Sequence, residues 1–562
     1  MSGSARSYLP TFLLAAACVC DAASGPPLAA APSYNGKQTV CTITVNSSDE
    51  KEAFRRSLSP EKFQFVELIE RGRPDWLASA CQQKVRCDVL VISGHYDGRG
   101  EFYSDRPGVR EFLPIDEMER AACSNSCSGL FSQLKEVYLF GCNTLNPDPL
   151  TRPSSEIGRS LVRSGYSPVD AERAARALSA RYAGSSRDRM RIIFKDVPVI
   201  YGFSAKAPVG PTAASMLSGY LRSGSSEVGT GRASGRLLGS FSSSSLAMAS
   251  GASDAEPLAV LRRDVCQFAD DGLSPAQKLA FIHELLGRQA AEVRMYLDRV
   301  EKYVASLNDA ERREPATAAA LDAIARDQDA RVRFLAFARD ADQPAVRARM
   351  IRVARNLDWL TPEDERVELI RMVGDRLASN TLNPADVDLV CALNKEHDLD
   401  AGLHALRASP VSAGTVARAA ILACLGDDEA REWVLAAVTS PRDEDVQIAQ
   451  VYLRHRPITD VNALRVVTAA ITRMGDAKAQ VRALDTLADL HLSDPESLGE
   501  LTRLFPVAES AAVQVAIAGV LLRSDYEAIA KPEVVQTLRE TRLKSTYGAD
   551  LIDALIRRLQ IR

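Results

Sequence analysis

The chain has 562 residues, 46% of them apolar and 25% charged, with a formal net charge of −4. Such a length exceeds what one hydrophobic core serves, so several domains are expected. The near-neutral balance excludes a global basic field, and no nucleic-acid partner is expected.

The N-terminus carries Arg6 ahead of an apolar stretch, Leu9 to Cys20, too short to span a bilayer. Small residues follow at Asp21 to Gly25 and at Leu28 to Ala31. Residues 1–31 therefore read as a signal peptide, and the chain as exported: periplasmic or secreted in a bacterium. Ala15-Ala16-Ala17-Cys18 resembles a lipoprotein attachment site but lacks the leucine three residues before Cys18, so lipidation is not expected. No later apolar run is long and charge-free enough for a transmembrane segment.

Residues 37–221 alternate between strand and helix patterns. Thr39 to Val45 is β-branched and strand-like, Phe63 to Ile69 is an apolar patch, and Asp75 to Cys81 reads as helix. Val89-Leu-Val-Ile-Ser93 is a buried-strand pattern that runs through Gly94 to His95. A loop with Asp97, Gly98 and Gly100 follows, then a helix over Ile115 to Cys123. Val137-Tyr-Leu-Phe140 is a second buried-strand pattern, running through Gly141 to Cys142. Helices are expected over Ser155 to Arg163 and Pro168 to Tyr182, and a further strand over Val197 to Phe203. This alternation predicts a mostly parallel sheet with helices on both faces. In such sheets reactive groups gather at the carboxyl ends of the strands, where His95 and Cys142 both fall.

Residues 222–257 are rich in Ser, Gly and Ala and read as a linker or long loop. From 258 to 562 apolar residues recur at helical spacing. Asp329-Ala-Arg-Val-Arg-Phe-Leu335 and Gln343-Pro-Ala-Val-Arg-Ala-Arg349 share a pattern echoed from Asp443, Asp476 and Glu509. These stretches resemble HEAT repeats, which implies a C-terminal all-α solenoid of stacked helix hairpins and a protein partner along it. Of the six histidines, His283, His397, His404, His455 and His491 are scattered through this region without metal-like spacing and read as structural or exposed.

Export favours disulfides. With Cys142 set aside as a free nucleophile, the candidates are Cys41, Cys81, Cys87, Cys123, Cys127 and Cys266, with Cys81/Cys87 and Cys123/Cys127 as the first local pairs to expect. A zinc site on Cys81, Cys87, Cys123 and Cys127 is the rival, but its spacing is loose; no metal or cofactor is expected.

A histidine and a cysteine, each just past an apolar strand and in that order, resemble the caspase-like cysteine peptidases (clan CD: caspases, gingipains, legumain, CHAT domains). The resemblance covers roughly residues 37–220. It implies that Cys142 is the nucleophile and His95 the general acid/base, acting on a protein or peptide substrate. It further implies an oxyanion hole of backbone N–H groups, from Cys142 and from a glycine beside the histidine, here Gly98. Asp97 and Asp105, after the histidine, are candidates to line a pocket for a basic residue, and Ser204 and Lys206 lie where relatives place specificity loops. Tyr96-Asp97 stands where the family has glycine, and the caspase pentapeptide around the cysteine is absent, so a divergent bacterial member is implied. The alternative is a catalytically inactive caspase-like fold serving as a HEAT-repeat interaction scaffold.

Overall fold

The computed structural model describes residues 36–68, 76–98, 100–105, 111–127, 129–148, 155–163, 165–182, 184–288, 290–379, 381–407, 415–544 and 549–560. The expected leader lies outside them. By packing, the chain divides into two units: residues up to Asp148 together with Ser185–Gly272, and Pro149–Gly184 together with the chain from Leu273 onward.

The first unit is built on β1 (Gln38–Thr44), α1 (Asp49–Ser57), β2 (Phe63–Glu67), α2 (Ala78–Gln82), β3 (Val89–Ser93), β4 (His95–Tyr96), β5 (Glu101–Tyr103), β6 (Phe112–Pro114), α3 (Ile115–Cys123) and β7 (Glu136–Phe140). After β7 come α4 (Ser155–Arg163) and α5 (Pro168–Tyr182), which belong to the second unit. The chain then returns through α6 (Ser186–Ile193), β8 (Val199–Phe203), α7 (Gly210–Gly224), α8 (Gly235–Ser240), β9 (Leu246–Ala249) and α9 (Leu258–Ala269).

Six strands form one sheet in the order β2-β1-β3-β7-β8-β9, parallel except for β9. The central strands β3, β7 and β8 are buried along their whole length, which is why they read as continuous apolar runs; the edge strands β2 and β9 are only partly covered. Alternate residues face two cores. Ile43, Ile92 and Leu139 pack with Leu77, Met118 and Ile193 on one face. Val40, Val91 and Tyr138 pack with Phe54, Leu217 and Phe241 on the other. The helices thus cover both faces, as the alternating pattern requires.

The Ser/Gly-rich stretch 222–257 is not a linker. It holds α8 and β9 and is stitched to the start of the sheet: Gln38 donates to the Gly229 carbonyl at 2.9 Å and the Gly231 N–H donates to Glu136 at 3.0 Å. Gly229 and Gly231 have φ of +76° and +70°, so the composition reflects a tight backbone path rather than freedom. α9, expected to open the helical region, packs on α3 and α6 and is joined to α3 by the disulfide Cys123–Cys266.

The six cysteine candidates are all oxidised, but not as the local pairs: Cys41 joins Cys87, Cys81 joins Cys127, and Cys123 joins Cys266. The reason is packing. Cys123 ends α3 against α9, whereas Cys127, one turn on, faces α2. A fourth disulfide, Cys391–Cys424, ties the helices Pro384–Leu393 and Val416–Cys424 of the second unit and was not anticipated.

The second unit is helical from α10 (Pro275–Gly287) and α11 (Ala290–Ser306) to Ala549–Gln560. Its main contacts join helices close in sequence. Acidic N-caps open several of them, including Asp327, Asp427, Asp460, Asp476 and Asp494. The α4–α5 hairpin packs on α11, so it sides with this unit although the sequence reading puts it in the α/β domain. Among the described residues no helix is long and apolar enough to cross a membrane.

Candidate active site

β3 and β7 are neighbours and run parallel, with Ser93 opposite Phe140 as the last paired residues. Each is followed by a glycine and then by a candidate side chain, so His95 and Cys142 each come two residues past the last paired residues of neighbouring strands. The glycines make the crossing possible. A Cβ on Gly141 would lie 2.9 Å from the Tyr96 Cβ and 3.0 Å from the Gly94 carbonyl oxygen, and one on Gly94 would lie 3.0 Å from the Val45 Cβ.

His95 opens β4, which leaves the main sheet to form a small antiparallel sheet with β5 and β6. Tyr96 and Phe102, 4.9 Å apart between ring centroids, turn into the core and pin this hairpin. His95 lies opposite Tyr103, with 5.4 Å between ring centroids. Its Nε2 is 3.0 Å from the Asp105 carboxylate. The Asp105 carboxyl sits below its usual range: desolvation raises it, but hydrogen bonds from Asn46 and His95 and the His95 charge outweigh that.

Cys142 is half-buried and outside every disulfide. Its Sγ accepts a hydrogen bond from the Ala207 N–H at 3.3 Å. The turn that carries it is stitched to the end of β8: Asn143, at φ +58°, donates its N–H to the Ala205 carbonyl at 2.7 Å, and the buried Thr144 hydroxyl accepts from the Phe203 N–H at 3.0 Å.

Gly98 is buried, has φ +79°, and lies beside the cysteine turn, where a Cβ on it would come within 3.9 Å of the Asn143 Cβ. Its carbonyl accepts from the Ser186 hydroxyl at 2.9 Å. Among the described residues neither the Gly98 nor the Cys142 N–H donates a backbone hydrogen bond. Asp97 is committed to the β4–β5 turn, its Oδ1 accepting from the Gly100 and Glu101 N–H groups at 2.8 and 3.2 Å. The Ser204 hydroxyl donates to the Ser245 carbonyl at 3.2 Å, and the Lys206 carbonyl accepts from Ser245 at 3.1 Å while its side chain is exposed. The structure therefore brings the 204–207 loop to Cys142 through backbone atoms of Ala205 and Ala207, and gives Asp97 and Ser204 local bonds rather than an open pocket.

The other histidines have partners of their own where contacts are described: His283 meets Asp327 and His397 meets Asp400, both at 3.0 Å, His455 meets Asp388 at 2.8 Å, and His491 meets the Arg523 carbonyl at 2.9 Å. Sequence reasoning missed Asn46, Tyr103, Ser186 and the Ala207 amide. Asn46 alone had a signal, since it follows the end of a third parallel strand, β1, where polar site residues gather.

In the first turn of α1, Glu50 is 4% exposed. Burial, with the Asp49 charge adding to it, raises its carboxyl from 4.5 to about 7; a backbone amide and the nearby Ser93 hydroxyl pull it down by less. Glu50 Oε2 and Ser93 Oγ are both buried without a well-formed hydrogen bond.

No protein-family model matches this chain, and neither a curated protein nor a solved structure matches it.

Proposed function

We propose that this chain is an exported, caspase-like cysteine endopeptidase in which Cys142 is the nucleophile and His95 the general acid/base. The observation that carries the reading is that His95 and Cys142 each follow by two residues the paired ends of the neighbouring parallel strands β3 and β7. The Cys142 sulfur attacks the scissile carbonyl as its proton passes to His95. The Cys142 and Gly98 N–H groups stabilise the oxyanion. The C–N bond breaks, His95 returns the proton to the leaving amine, and a thioester remains on Cys142. Water then hydrolyses the thioester, with His95 taking its proton and restoring the thiol.

The helical unit, whose main contacts join sequence neighbours, serves in this reading as a HEAT-like solenoid that recruits a protein partner or substrate. Four disulfides fit an exported protein.

The test is labelling with acyloxymethyl-ketone probes bearing Arg, Lys, Asp or Asn. Labelling that disappears in Cys142→Ala supports the nucleophile, and the preferred probe names the pocket. A folded protein that no probe labels favours the non-catalytic scaffold.

A further inference from the structure

We propose that Asp105, with Asn46 beside it, is the positioning residue of His95 in the reaction proposed above, on which this inference rests. Three chain segments converge for this purpose. Asn46 follows β1, and its N–H donates to the Ser93 carbonyl at the end of β3 at 3.3 Å. The Ser104 hydroxyl donates to Asn46 Oδ1 at 3.0 Å, which leaves the amide's NH2 side to face other acceptors, and Asn46 is among the groups that lower the Asp105 carboxyl. Asp105 Oδ2 in turn lies 3.0 Å from His95 Nε2.

The chemistry follows from the two ring nitrogens. With Nε2–H donated to a carboxylate, the neutral imidazole keeps its lone pair on Nδ1. Nδ1 then takes the proton from the Cys142 sulfur as the S–C bond forms, and gives it to the amine nitrogen as the C–N bond breaks. Asp105 stays ionised throughout and faces the imidazolium while it exists. Tyr103 beside the ring limits its swing. Side-chain exposures of 37% for His95 and 64% for Asp105 make this pair a minor contributor to stability. Removing it therefore tests positioning rather than folding.

The experiment compares the full chain with Asp105→Ala, Asp105→Asn and Asn46→Ala, on a peptide whose P1 residue matches the preferred probe. The expected result is a kcat lower by about tenfold or more in Asp105→Ala, with KM little changed, and smaller losses in Asp105→Asn and Asn46→Ala. In 15N-histidine-labelled protein, the His95 Nε2–H proton is observed in the wild type and lost to solvent exchange in Asp105→Ala. An active wild type whose Asp105→Ala variant keeps its kcat, or keeps that proton signal, overturns this inference alone. A wild type that turns over no peptide and takes no probe overturns the peptidase reading and this inference with it.

Discussion

The Ser186 hydroxyl donates to the carbonyl of Gly98 across 88 residues of chain, and Ser186 is 1% exposed. The next residue, Arg187, donates its N–H to the Asn146 carbonyl at 3.1 Å. One short segment therefore fastens both the turn after His95 and the turn after Cys142. Ser186→Ala leaves a buried carbonyl unpaired and should cost about 1–3 kcal/mol in a urea titration. Because Gly98 loses its anchor, kcat should fall more than KM rises. Unchanged kinetics in a destabilised variant would detach Gly98 from the proposed oxyanion hole.

Gly141→Ala probes the crossing of β7 with the His95 hairpin. The new methyl would meet Tyr96 Cβ, the Gly94 carbonyl and a Phe102 ring atom at 2.9 to 3.1 Å. Overpacking of this kind costs about 1–3 kcal/mol. The expected outcome is a lowered melting temperature together with loss of probe labelling, since relief of the clash shifts the His95 hairpin against the turn that carries Cys142.

Glu50 gives a pH dependence whose sign is fixed. Its carboxyl is raised from 4.5 to about 7 in the folded chain, so the folded state binds more protons than the unfolded one between those values. Stability from this group is complete below pH 4.5 and is lost as the pH rises through 7, a change of about 3 kcal/mol. Glu50→Gln removes the ionisable group and should melt higher than the wild type at pH 8, with the two converging toward pH 4.5. A pH-independent difference would mean that Glu50 does not titrate in this window.

The disulfides should differ in weight. Cys123–Cys266 closes 143 residues and Cys391–Cys424 closes 33. In the chain-entropy account the longer loop stabilises its unit by about 1 kcal/mol more. The paired Cys123→Ser/Cys266→Ser variant should therefore lose more stability in the sheet unit than Cys391→Ser/Cys424→Ser loses in the helical one, read by domain-resolved hydrogen exchange.

Much of the sheet was legible because buried parallel strands are continuous apolar runs, and the residues past their ends are where chemistry collects. His95, Cys142 and the glycine before each could be picked out on that ground, and α3, α4 and α5 fall where helical periodicity put them. The strands β4 to β6 were not legible, since two or three residues carry no period. Asp105 was expected in a pocket because an exposed acid in a loop says nothing of its partner; the hairpin register brings it to His95. Disulfide partners depend on which helix lies beside which, as Cys123 and Cys127 show by pairing with α9 and α2 rather than with each other. Small residues in 222–257 looked like slack but pack closely, most plainly at Gly251, where a Cβ would fall 1.9 Å from the Phe194 carbonyl oxygen.

The α4–α5 hairpin has a practical meaning for anyone dissecting the molecule. Because residues 149–184 leave from just beyond Cys142 and return at Ser185, the chain passes between the units three times. A polypeptide stopped at Gly272 would hold every strand among the described residues and the entire candidate site, yet it would carry the hairpin without α11, its packing surface. Such a fragment would display an orphaned apolar stripe and tend to self-associate. Dissection by excising 149–184 and rejoining Asp148 to Ser185 through a short flexible bridge avoids that hazard, whereas a single protease nick anywhere in the hairpin would leave both units covalently tethered.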